Sequence, residues 1–154
     1  MEHIFLAPHL DDVVLSCGGQ IWQLTQRGHR PWVITVFAGS PAPGAAEFSF
    51  ARHQHRLWGE PPLPAELRRA EDVAACVRLG VPPERVIHLD FPDAVYRHTP
   101  DGQPLYTSDE AIFGPPHPAD GGNWATAWPR HWHPTWAHGH PSWPRPAWVT
   151  TWTT

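Results

Sequence analysis

Apolar positions along the chain fall into two kinds of block. Residues 3–7, "HIFLA", form a short continuous apolar run, and "PWVITVFAG" (31–39) and "RVIHLDF" (85–91) repeat that kind. Runs this short, rich in β-branched residues and followed by Gly or charged residues, predict buried strands. Between the first two, Val14, Leu15, Ile21, Trp22 and Leu24 recur at rough helical spacing. Asp11 or Asp12 offers that helix an N-cap and Gly28 a C-cap. Its paired glycines, Gly18 and Gly19, predict close packing against a strand. "AELRRAEDVAACVRLGV" predicts a second, amphipathic helix with Leu67, Ala70, Val73, Ala74, Val77 and Leu79 on one side. Gly80 caps it and Pro82 stops it. The stretch from Ser40 to about Pro64 reads as a long loop. From Pro92 to about Asp120 only "DAVYR" and "LYTSDEAIFG" look ordered. Strand, helix, strand, helix, strand predicts an α/β fold with a Rossmann-like parallel sheet and flanking crossover helices.

Composition narrows the function classes. With 154 residues, 41% hydrophobic and 17% charged, the chain has material for one folded domain. Its formal charge of −4 and lack of a basic stripe argue against a nucleic-acid partner. No apolar run is long enough to span a bilayer, and no signal peptide is legible. Cys17 and Cys76 lie far apart and form no metal-type pair, so a reduced, cytoplasmic setting is expected. Twenty prolines and ten tryptophans are far above ordinary usage, and seven of the tryptophans lie between Trp124 and Trp152. That imbalance divides the chain into residues 1–121 and a tail, 122–154.

The candidate chemistry follows the first predicted strand. His9, Asp11 and Asp12 lie where open α/β sheets place ligands, just beyond a strand's carboxyl end. One imidazole and one carboxylate from such a turn suit a zinc ion, with a third ligand from elsewhere and a fourth position for water. The other carboxylate is then free to take a proton. Residue type alone favours a surface histidine beside an Asp pair that caps a helix, because short His/Asp clusters are common by chance.

The surrounding words favour the first reading. "APHLDDVVLSCGG" resembles the opening motif of the PIG-L/LmbE-like family of zinc-dependent N-deacetylases, a hydrophobic strand followed by His-Pro-Asp-Asp-Glu and a glycine pair. "RGHRPWVITVFAG" is similar to the family's second strand, and "RRAEDVAACVRLGV" to its Arg-x-x-Glu helix ending in Leu-Gly. "HLDFPDAVYR" is similar to the segment that closes the third strand with an aspartate. The resemblance implies that His9 and Asp12 ligate Zn2+ and that Asp11 is the general base. It places Arg68 and Asp93 at substrate-contacting positions, although Arg68 equally suits a solvated helix face. It further implies hydrolysis of an N-acyl, typically N-acetyl, amide on an amino sugar or sugar conjugate. Leu10 and Val13 depart from the motif, where proline and glutamate are usual.

The tail does not fit. The family's late Gly-x-His-x-Asp-His motif, which implies the third zinc ligand, is absent from the chain as written. Instead His131, His133, His138 and His140 lie among tryptophans and prolines that interrupt every regular pattern. Trp124, Trp128, Trp132 and Trp136 nonetheless keep a helical spacing. Tryptophan has one codon, TGG. In a frame whose codons begin with the preceding residue's last base, each tryptophan yields Leu, Val or Met, followed at these four by Gly or Ala. The last eight residues, "AWVTTWTT", then permit [Leu/Val]-Gly-His-His-[Leu/Val]-Asp-His, the missing motif. Residues from about Gly122 onward therefore read as out-of-frame translation, with the sheet truncated on its C-terminal side and an uncovered apolar edge. Three functions compete: a zinc N-deacetylase with a frameshifted end, a non-enzymatic α/β fragment with an incomplete metal site, and an enzyme drawing its ligand from the tail histidines.

Overall fold

The computed structural model describes residues 2–59 and 64–120. The expectations for the tail lie outside the described residues. Three parallel strands, β1 (Ile4–Ala7), β2 (Trp32–Thr35) and β3 (Val86–His88), form one open sheet in the order β1-β2-β3. Ile4 pairs with Trp32 and Ala7 with Thr35, while Val33 pairs with Val86 and Thr35 with His88. Parallel strands need crossovers, and helices supply them. Helix α1 (Asp12–Gln26) joins β1 to β2; α2 (Ser49–Leu57) and α3 (Pro64–Arg78) lie between β2 and β3. A short α4 (Asp109–Phe113) follows, with the Ser108 side chain accepting the Ala111 amide at 3.2 Å. The α/β fold expected from the apolar blocks is the fold observed.

The sheet packs against α1 and α3 through Ala7, Val13, Ile21, Val33, Cys76 and Val81. Thr25 fastens the two helices: its hydroxyl donates to the Leu79 carbonyl at 2.7 Å. Gly80, at φ +85°, ends that helix, and a Cβ there would lie 2.9 Å from the Thr25 Cβ. Both the backbone angle and the close approach require glycine. Gly18 lies against the Leu79 side chain rather than a strand, and nothing lies within 4 Å of a Cβ at Gly19. The glycine pair therefore does not serve the strand contact expected of it.

Three further expectations are corrected. β2 and β3 end earlier than their apolar runs. Beyond Thr35 the chains continue through isolated bridges, Phe37 with Asp90 and Gly39 with Pro92. The supposed loop after Ser40 contains a 3-10 turn, Ala45–Glu47, and the nine-residue α2. Phe50 and Ala51 are buried there against Val95 and Tyr96, a long-range contact that overrides the weak local signal of "SFARHQHRL". Finally, α3 is turned away from its apolar stripe. Leu67, Ala70, Ala74 and Val77 are exposed, while Ala65, Asp72 and Cys76 are buried. Polar residues can face inward here because each finds a partner. Arg69, for example, donates to the Ala38 carbonyl at 2.8 Å.

Candidate active site

Between β1 and α1 the chain turns within a few residues, and that turn carries His9, Asp11 and Asp12. The His9 amide donates to Asp12 Oδ2 at 3.0 Å, and His9 Nδ1 lies 3.3 Å from the same oxygen. Both side chains remain open to solvent, at 42% and 41% exposure. Phe37, just beyond β2, backs the imidazole with its ring centre 5.5 Å away. His9 and Asp12 thus meet as one nitrogen and one oxygen donor. No three His, Cys, Asp or Glu side chains converge as a metal site among the described residues. One nitrogen and one oxygen donor suit a zinc ion in kind, and a catalytic zinc ordinarily takes three protein ligands.

Asp11 is held differently. It occupies the N-cap position of α1, yet its side chain makes no capping bond. Its carbonyl instead accepts from the Val14 and Leu15 amides, each at 3.1 Å. The backbone is left-handed, φ 73° and ψ −20°, which costs a non-glycine residue about 1–2 kcal/mol. The Asp11 amide donates to Asp72 Oδ1 at 3.0 Å. A hydrogen bond to a charged group contributes about 1.5–3 kcal/mol, enough to offset that strain. The Asp11 carboxylate is partly open to solvent and lies beside Arg68, whose Nη2 is 3.9 Å from Oδ2. Burial pushes the Asp11 carboxyl above its ordinary value of 3.8, with Arg68 pulling it back and Asp72, Glu71 and Asp12 adding to the rise. A raised carboxyl is the better proton acceptor.

Arg68 is not a solvated face of its helix. Its guanidinium stacks 4.8 Å from the centre of the Trp58 ring. Arg68, Trp58, Asp93, Tyr96 and Phe37 line one pocket. Arg68 and Asp93, expected as substrate contacts, therefore share a cavity, and Arg68 joins that cavity to Asp11. The opposite wall is fixed by Tyr96, whose hydroxyl lies 2.8 Å from His55 Nε2. Burial pushes the Tyr96 phenol up to about 12 and lowers His55.

Sequence reasoning missed Trp58 and Tyr96 because both depend on α2 and the 3-10 turn Ala94–Tyr96, which pack only at long range. It also missed Asp72, which is fully buried and lies 2.8 Å from His88 Nε2. A signal was present: Asp72 stands four residues before buried Cys76 and seven after buried Ala65, on one helix face.

With that geometry in place, comparison with known proteins is informative. A family model described as PIG-L: GlcNAc-PI de-N-acetylase matches residues 4–126. The chain is 35% identical over 126 residues to the 2'-N-acetylparomamine deacetylase of Niallia circulans, covering 76% of this chain and 45% of that protein. A solved complex of a deacetylase with teicoplanin, from the teicoplanin biosynthesis pathway, is 37% identical with a TM-score of 0.56, over 68% of this chain and 40% of that one. The zinc-inhibited form of teicoplanin deacetylase gives 36% identity and a TM-score of 0.58, over 71% of this chain and 40% of that one. The chain thus spans less than half the length of these relatives. No helix among the described residues is long and apolar enough to cross a membrane.

Proposed function

The chain belongs to the PIG-L de-N-acetylase family, and on that premise we propose that it derives from an enzyme hydrolysing the N-acetyl amide of an amino sugar or sugar conjugate. The observation that carries this reading is the junction of two features. The His9–Asp11–Asp12 turn lies at the carboxyl end of β1, and Arg68 bridges it to a pocket walled by Trp58, Tyr96 and Asp93. Aromatic faces with a few charged groups suit a sugar ring and its hydroxyls. His9 and Asp12 are the residues that would hold zinc. Bound there, the metal supplies Lewis-acid polarisation of the acyl oxygen and a more acidic water.

The chain's own groups do the rest. Asp11 takes the proton of the attacking water, and Arg68 holds that carboxylate at the mouth of the pocket. Arg68 and Asp93 fix the sugar, so that the amide carbon faces Asp11. The products are a free amine and acetate. Relatives named as a 2'-N-acetylparomamine deacetylase and as a deacetylase in complex with teicoplanin support the substrate class.

In this reading the third ligand belongs to the segment encoded beyond Gly122 in the shifted frame. The test is a zinc titration with a deacetylation assay on an N-acetylglucosamine conjugate, for the 154-residue chain and a version with its frame restored near Gly122. Excess zinc is included because one solved relative is a zinc-inhibited form. Weak zinc binding without turnover in the first, and both gained in the second, support the reading. A gene whose wobble bases encode no histidine in the shifted frame contradicts it, as does full activity of the chain as written.

A further inference from the structure

Asp72 is a carboxylate with no exposed surface, and the hydrolysis outlined above does not use it. Its two oxygens are divided between two partners on different elements. Oδ2 lies 2.8 Å from His88 Nε2, and His88 closes β3 in register with Thr35 of the central strand. Oδ1 accepts the Asp11 amide at 3.0 Å, across 61 residues of chain. Independently, Asp11 is the one non-glycine residue with positive φ among the described residues. The strained residue and the buried acceptor are the same pair.

We propose that Asp72, anchored to the sheet by His88, is a positioning residue that holds Asp11 in its left-handed backbone and so aims the Asp11 carboxylate at Arg68 and the pocket. The proposal rests on Asp11 being the proton acceptor. Relaxing Asp11 to a negative φ would swing its amide away from Asp72 and turn its Cα–Cβ bond. The carboxylate would then leave Arg68, which it faces at 3.9 Å. A clamp serving only to join α3 to β3 would need His88 but not the Asp11 amide. The local strain and the long-range hydrogen bond together are what such a clamp leaves unexplained.

The test is amide NMR on the 154-residue chain, which does not depend on turnover. In the unmutated protein the Asp11 amide proton is expected downfield, with a three-bond coupling characteristic of positive φ. Its exchange should be slowed on the order of ten- to a hundredfold relative to free peptide, as one charge-assisted hydrogen bond allows. Asp72→Asn keeps an oxygen for the Asp11 amide and should preserve all three signatures. Asp72→Ala should abolish them while Val33 and Ile34 stay protected. Free-peptide exchange at Asp11 in the unmutated protein overturns the proposal, as does an Asp72→Ala spectrum with Asp11 unmoved. Should Asp72→Ala fail to fold, Asp72→Asn decides, because loss of Asp11 protection in it also overturns the proposal. Turnover unchanged by Asp11→Asn in the frame-restored protein would count against Asp11 as proton acceptor, whereas these amide signals report on the Asp72 contact alone.

Discussion

The two hydrophobic clusters among the described residues differ in what they are made of and in what they hold. The first, around Ile21, Val33 and Cys76, joins the strands to α1 and α3 and supports the turn bearing His9, Asp11 and Asp12. The second, around Phe50, Ala51, Val95 and Tyr96, is built from a nine-residue helix and two 3-10 turns, and it supports Trp58. The turn therefore stands on regular sheet structure, and the pocket beside Arg68 on a short helix and 3-10 turns. The division suits an enzyme that keeps its reacting groups on a rigid sheet end and lets substrate contacts vary.

Truncation in the first cluster should have the largest effect on stability. Ile21 has no exposed surface, so Ile21→Ala should lower unfolding free energy by about 2–5 kcal/mol in a urea titration. The contrast sharpens if the Asp11 turn loosens with it. A smaller effect is expected from the second cluster. Trp58→Ala removes the ring beneath the Arg68 guanidinium, a contact worth about 1 kcal/mol, and should raise KM roughly fivefold in the frame-restored enzyme with little change in kcat. An equal fall in kcat would break the division between the clusters.

The smallest effect concerns Cys76, whose thiol burial, foremost, pushes up to about 12, with Asp72 and Asp11 adding to the rise. At pH 8 iodoacetamide should label Cys17, which is partly exposed, and reach Cys76 only on unfolding. Because the folded value lies above the ordinary 9.0, the stability tied to the neutral thiol is complete below about pH 9. It is then lost as pH rises toward 12. Prompt labelling of Cys76 in the folded protein would show the first cluster to be open.

The same contrast governs what was legible in the sequence. Strands β1 to β3 and helices α1 and α3 are visible as apolar blocks, and Ala7, Val13, Ile21, Val33 and Cys76 from them meet in the first cluster. Helix α2 is not, since only Phe50 and Ala51 of its nine residues are buried and their partners lie some forty residues on. The inner face of α3 misleads for a different reason. Arg68, Arg69 and Asp72 look solvated by residue type, yet each is satisfied by a group elsewhere in the fold. Periodicity records hydrophobicity and not partners, so a buried polar face reads as an outer one. The motif turn escaped that difficulty because its word, not its pattern, carried the resemblance.

The most direct test of the proposed centre is Asp11→Asn in the frame-restored protein, read by zinc titration and deacetylation side by side. If His9 and Asp12 hold the metal and Asp11 accepts the proton, zinc binding stays and kcat falls by about a hundred- to ten-thousandfold, the usual contribution of general-base catalysis. Zinc binding lost in Asp11→Asn but kept in Asp12→Asn would mean that the two aspartates exchange roles. Turnover unchanged in Asp11→Asn would place the chemistry elsewhere.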